Sequence, residues 1–149
     1  MARVVSLQLH EAHGRPLRPI ASAEVRIGGG LEGDSHAGRS KRAIVVVDRS
    51  THDAVGVRPG DLREQITVEG LPRIERLAEG ALLRVGLVTL RVNGPCEPCD
   101  HIGELVGVGD PLQFQAMLEG RRGVVCSVVS ADGPLRIGDE VTVEEPAPV

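Results

Sequence analysis

Tryptophan and tyrosine are missing from the 149 residues, and phenylalanine occurs once, at Phe114. Without rings to stack on bases, the chain has no aromatic platform for single-stranded nucleic acid. Its core has to be filled by Val, Leu, Ile and Ala, and the β-branched members of that set favour strands. Positive charge is also scarce: 17 basic against 21 acidic residues leave a net charge of -4. No long basic run occurs, so neither nucleic acid nor an anionic membrane is expected as the main partner. Apolar runs such as Ile44 to Val47 fall far short of a membrane span. Met1-Ala2-Arg3 leads into a strand-like alternation instead of a signal peptide, and a soluble, cytoplasmic protein is expected. Cysteine is limited to Cys96, Cys99 and Cys126, an odd number and too few for a disulfide framework. In a reducing compartment a Cys-x-x-Cys is reactive or metal-binding before it is a staple.

What is present reads as β structure. The length suits one domain spanning residues 1–149. Period-two alternation marks strands over Arg3 to His10, Ala21 to Ile27, Leu62 to Glu69 and Arg121 to Val129, with Ala43 to Val47 as a buried strand. Gly14, Pro16 and Pro19 exclude regular structure from Glu11 to Pro19. Two similar units, two short strands around Gly86 and the stretch Leu135 to Val143, suggest recurring strand pairs. A closed or nearly closed β-barrel is therefore expected, since closure removes the exposed edges of so many short strands; a β-sandwich would use the same strands. Ser50 is a plausible N-cap for a short connector helix ended by Gly56, and Asp110-Pro111 opens a helix that Gly120 ends. Glu64 falls on the apolar face of its strand and needs a partner such as a nearby arginine, because an unpaired buried carboxylate is costly.

Two stretches carry chemistry. Gly28 to Arg39 holds five glycines with Asp34, His36 and Arg39; glycine allows a tight turn or close approach of a ligand, and the stretch lacks both the phosphate-loop and the dinucleotide signatures. Asn93 to His101 holds Cys96 and Cys99 on a loop that follows a strand. A loop thiol is accessible, and Arg39, Arg42, Arg121 and Arg122 are the cations that could stabilise a thiolate or hold an oxyanion; Glu97 opposes them. Cys126 shares a strand face with Val124 and Val128 and is expected to be a buried small hydrophobe. His10, His13 and His52 read as surface residues.

Several segments together resemble the MOSC domain, the C-terminal domain of molybdenum cofactor sulfurases. They are Gly33-Asp34-Ser35-His36-Ala37-Gly38-Arg39 with Arg42 and a Val-rich strand, Pro59-Gly60-Asp61-Leu62-Arg63-Glu64-Gln65-Ile66-Thr67-Val68-Glu69-Gly70-Leu71, Leu82-Leu83-Arg84-Val85-Gly86, Gly94-Pro95-Cys96, and Gly123-Val124-Val125 with Leu135 to Val141. The match in order and spacing extends over a core of about 22–143. Gln65 replaces the Asn that commonly follows the Glu of the motif, and Glu97 stands where small members often have His.

The resemblance implies a small stand-alone, barrel-like domain that serves as a sulfur carrier. Cys96 would take sulfur as a persulfide from a cysteine desulfurase that uses pyridoxal phosphate and pass it to a molybdenum-pterin cofactor held by a molybdoenzyme or cofactor carrier. Alternatively Cys96 would bind molybdenum or molybdopterin directly. Asp34, His36, Arg42 and Glu64 fall on the other motif positions, with Arg39, Arg121 and Arg122 beside them as cofactor-binding candidates. Cys99 could resolve the persulfide as a disulfide. Three other readings stand beside these. One is a zinc site built from Cys96, Cys99 and His101 with Cys126 or His36 as fourth ligand, although no second ligand pair of similar spacing is present. Another is a thiol–disulfide oxidoreductase, disfavoured by the β context. The last is a small-ligand-binding barrel without catalysis.

Overall fold

The computed structural model describes residues 1–12, 14–35, 37–38, 42–97, 102 and 106–146. Its strands are β1 (Ala2–Leu9), β2 (Arg18–Ile20), β3 (Ser22–Ala23), β4 (Ile44–Asp48), β5 (Ile66–Glu69), β6 (Leu82–Val85), β7 (Val88–Pro95), β8 (Val124–Ala131), β9 (Leu135–Arg136) and β10 (Glu140–Glu144). Helix α1 (Arg49–Val55) follows β4, a 3-10 turn covers Ile74–Arg76, and helix α2 (Pro111–Leu118) precedes β8. Seven strands pair in the ring β1-β10-β6-β7-β8-β4-β5 and back to β1, closing a barrel. Six of the seven neighbouring pairs are antiparallel. The exception is β4 with β5, which run parallel with Val46 opposite Ile66. Strand β2 adds to β1 outside the ring, and β3 pairs only with β9.

Alternation explains how the barrel fills. All seven ring strands send aliphatic side chains into one cluster, among them Val4 and Leu7 of β1, Ile44 and Val46 of β4, Leu83 and Val85 of β6, Leu90 and Val92 of β7, and Val128 of β8. Each such side chain, when fully buried, stabilises the fold by about 1.5–3 kcal/mol relative to exposure. Strand β4 is buried on both faces. Its alternate residues Val45 and Val47 join Val125, Leu62, Cys96, Phe114 and Leu118 in a second cluster. Asp110 caps α2 by accepting a hydrogen bond from Gln113 N, with Pro111 in the first turn, and Phe114 and Leu118, four apart on one helix face, are its buried contacts. The single aromatic side chain is spent on seating this helix.

Four details depart from the sequence expectation. A strand forms at Arg18–Ile20, overlapping the end of the Glu11 to Pro19 stretch whose prolines argued against one, because an edge strand tolerates a missing amide donor. Regular pairing does not extend over Leu62 to Gln65, where Arg63 has φ 64, a left-handed backbone that a strand cannot accommodate. The Leu135 to Val143 stretch is no hairpin: β9 turns to β3, and only β10 enters the barrel. The N-cap of α1 is Asp48, whose carboxylate accepts from Ser50 N, two residues ahead of the expected cap. Its αL cap at Gly56 ends the helix as expected.

Candidate functional site

The segment between α1 and β5 carries two buried polar networks. In the first, Glu64 is 0% and His52 1% exposed. His52 Nε2 meets Glu64 Oε2. Thr67 Oγ1 donates to Glu64 Oε2 at 2.9 Å, and Gly60 N donates to Oε1 at 2.9 Å. Gln8 Nε2 donates to the Glu64 carbonyl at 3.0 Å. The expected burial of Glu64 is correct, but its partner is a histidine of α1 and not an arginine, and His52 belongs to the core and not the surface.

The second network joins the Gly-rich loop to the chain around Arg63. Asp34, only 6% exposed, accepts from His10 N at 2.8 Å and from Gln65 Nε2 at 3.3 Å. Gln65 Oε1 in turn accepts from Val45 N at 2.7 Å, so Gln65 bridges the loop to β4. The His10 ring contacts Ser35 Oγ through Nδ1, and Arg63 lies 2.9 Å from its Nε2. A guanidinium only donates, so Nε2 is the acceptor there and Nδ1 carries the ring proton toward Ser35. His10, read from the sequence as a surface residue, is 3% exposed and positions Arg63.

Arg122 connects this network to the cysteine. Its guanidinium donates to the Glu97 carbonyl at 3.0 Å and to the Leu62 carbonyl at 3.3 Å. It therefore ties the residue after Cys96 to the residue before Arg63. Its buried Nε has no hydrogen-bond partner among the described residues. Burial first, and then the neighbouring Arg122 charge, push the Arg63 guanidinium below its ordinary pKa. Two cations held this close form a locus suited to an anion. Arg63 was not a sequence candidate. The available signal was its place in the motif run, but a non-glycine residue with positive φ is invisible to pattern reading.

Cys96 follows the end of β7. Its amide donates to Gly123 O at 2.9 Å. Gly123 has φ +79, and a Cβ there would lie 2.0 Å from the Val46 carbonyl, so no side chain fits. The thiol is 4% exposed, within the layer under α2, which reverses the expectation of an accessible loop thiol. Cys126 is fully buried in the other cluster, inside the barrel, where burial raises its pKa far above the ordinary range and keeps it protonated. It is the buried hydrophobe the sequence suggested. It lies on the other face of the sheet from Cys96, so it is not the fourth ligand of the zinc reading. Among the described residues, no three His, Cys, Asp or Glu side chains converge as a metal site.

The remaining candidates scatter. Arg42 is exposed. Arg121 is exposed and faces a different cavity, lined also by Arg73 and Arg76. His36, Arg39, Cys99 and His101 lie outside the described residues.

The family model for the MOSC domain matches residues 33–142, most of the chain and all of the segments that build these networks except β1. The chain belongs to the MOSC domain family. Solved structures share its fold. The YuaD protein from Bacillus subtilis superposes with a TM-score of 0.84 at 22% identity, covering 99% of this chain and 98% of that one. YiiM from Geobacillus stearothermophilus gives 0.70 at 16% identity, covering 97% of this chain and 76% of that one. YiiM from Escherichia coli gives 0.64 at 18% identity, with 99% and 71% covered. No curated protein matches the chain. In this MOSC domain Arg122 reaches the backbone at Glu97, next to Cys96, and at Leu62, next to Arg63, while Arg63 contacts His10 and His10 contacts Asp34; Glu64 is turned away into the His52 network. No helix among the described residues is long and apolar enough to cross a membrane.

Proposed function

We propose that this MOSC domain handles sulfur or molybdenum at Cys96, with a molybdenum-pterin cofactor as its cargo. The observation that supports the reading is a pair of neighbouring guanidiniums, Arg63 and Arg122, that no described carboxylate neutralises, with Arg122 donating to the carbonyl of Glu97, the residue after the MOSC cysteine. A molybdenum-pterin cofactor supplies a metal centre that soft sulfur ligands favour and an anionic phosphate. Arg63 and Arg122 would hold the anion, His10 would keep Arg63 in place, and Cys96 Sγ would meet the metal.

In the carrier version, the Cys96 thiolate attacks the outer sulfur of a persulfide on a pyridoxal-phosphate-dependent cysteine desulfurase. The donor's S–S bond breaks, its own cysteine leaves as thiolate, and Cys96 gains the sulfane sulfur with no net redox change. Cys99 then attacks Cys96 Sγ, giving a disulfide and releasing hydrosulfide, which replaces an oxygen ligand of the cofactor as hydroxide. A thiol reductant restores the pair. In the second version Cys96 ligates molybdenum directly. The burial of Cys96 favours the second, because a carrier thiol has to be reached by two partners in turn, whereas a ligand only has to be reached by one.

Incubation with a cysteine desulfurase and cysteine, followed by mass spectrometry, tests the carrier version. It expects one added sulfur on Cys96; none, where a control acceptor is labelled, rejects it. Elemental analysis after exposure to the cofactor tests ligation, which expects molybdenum on the parent chain and none on Cys96→Ser. Equal loading of both rejects it.

A further inference from the structure

A second basic concavity lies apart from Cys96. About 310 Å³ in volume, it is lined by Ser50, Thr51, Arg73, Glu75, Arg76 and Arg121 among others, and by none of Cys96, Arg63 or Arg122. Local structure explains why three guanidiniums gather there. In the 3-10 turn Ile74 is buried in the core, and Glu75 turns to accept a hydrogen bond from Gly123 N at 2.9 Å. Arg73, just before this turn, and Arg76, at its end, both line the cavity. Arg121 follows the end of α2, its carbonyl accepting from Thr51 Oγ1 at 2.7 Å. The two hydroxyls at the rim are already committed, Ser50 to Asp48 and Thr51 to Arg121 O.

The guanidiniums are not. Exposed Arg3, Arg18, Arg26 and Arg84 each pair with a carboxylate. Arg73, Arg76 and Arg121 make no side-chain hydrogen bond or close ion pair among the described residues, and Glu75 is the one acidic side chain lining the cavity. Three cations against one carboxylate, whose Oε1 is engaged by a backbone amide, leave an excess of planar donors suited to a tetrahedral oxyanion. The volume stands at the small end of ligand cavities, enough for a phosphate with a short organic tail.

We propose that this cavity binds a small phosphate monoester through Arg73, Arg76 and Arg121, independently of the reading at Cys96. Titration calorimetry on the full chain with inorganic phosphate, glycerol phosphate and a short single-stranded oligonucleotide is the test. Saturable binding of both phosphate and glycerol phosphate is expected, tighter than any oligonucleotide binding and weakened about tenfold or more in Arg73→Gln/Arg76→Gln, as lost charge-assisted hydrogen bonds require. Arg63→Gln, which alters only the anion locus near Cys96, and Cys96→Ser should both retain the component of binding that Arg73→Gln/Arg76→Gln removes, whatever the outcome of the sulfur and molybdenum experiments. No saturable binding, binding that survives the double substitution, binding that disappears with Arg63→Gln, or a preference for the oligonucleotide would each overturn the proposal.

Discussion

Arg63 and Glu64 are joined by one peptide bond and serve opposite ends. Glu64 lies in a buried network in which both carboxylate oxygens have partners from His52, Thr67 and Gly60, while His52 Nδ1 meets no hydrogen-bond partner among the described residues. Arg63 adopts a left-handed backbone and brings its guanidinium next to Arg122, with His10 as the acceptor it meets among the described residues. Networks of the first kind, in which a buried carboxylate is partnered at both oxygens, hold a structure together. A strained residue carrying a repelled cation costs stability, and such costs concentrate where a ligand is bound. The contrast separates the motif residues of this MOSC domain into those that hold the segment and the one that the segment presents.

Substitution can break that contrast. Glu64→Ala strands a buried imidazole, and His52→Ala strands a buried carboxylate; each is expected to lower stability by about 3–5 kcal/mol, read as a large drop in the denaturation midpoint. A loss under 1 kcal/mol in both would show that the network is not structural. Arg63→Gly relieves the left-handed backbone but loosens the unfolded chain. Its stability is expected within about 1 kcal/mol of the parent, while sulfur or molybdenum loading at Cys96 falls severalfold. Unfolding at the scale of Glu64→Ala would move Arg63 into the structural class.

The smallest effect concerns Glu75, which caps Gly123 N below the second cavity. Burial raises its pKa above the ordinary 4.5, outweighing the lowering by its own and Gly123's backbone amides. The folded state therefore holds this proton more tightly than the unfolded state does. Glu75 favours folding most below its ordinary pKa, and that contribution is lost as pH rises through the folded value. Glu75→Gln keeps an oxygen for Gly123 N and is expected to flatten this slope in urea melts across pH 4–7, with a slight gain at neutral pH. An unchanged slope would assign the pH dependence to other groups.

Much of the barrel was legible in the sequence because a Val-rich chain with period-two alternation has few ways to bury its faces. The buried run Ile44 to Val47 and the buried Cys126 could be read from their neighbours alone. The site was less legible. The burial of Glu64 followed from its strand face, but its partner came from α1, and a seven-residue helix is too short for periodicity to tell which face is covered. Arg121 and Arg122 looked like one basic pair, yet they diverge, one toward Arg73 and Arg76 and the other across to Glu97 and Leu62. Cys96 looked exposed because its loop was read without the helix that packs over it.

The lone parallel pairing has a consequence of its own. Around a closed ring, strand direction can alternate without fault only if the number of strands is even. With seven, at least one adjacent pair must point the same way, and here that fault falls between β4 and β5. Strands that are consecutive in sequence and parallel in space cannot be joined by a tight turn. The chain must travel back along the barrel, through α1 and residues 56–65, before it can start β5. That return path carries His52, Arg63, Glu64 and Gln65. An odd strand count thus obliges the molecule to keep a long non-strand excursion on its wall, and the polar residues of the candidate site ride on it.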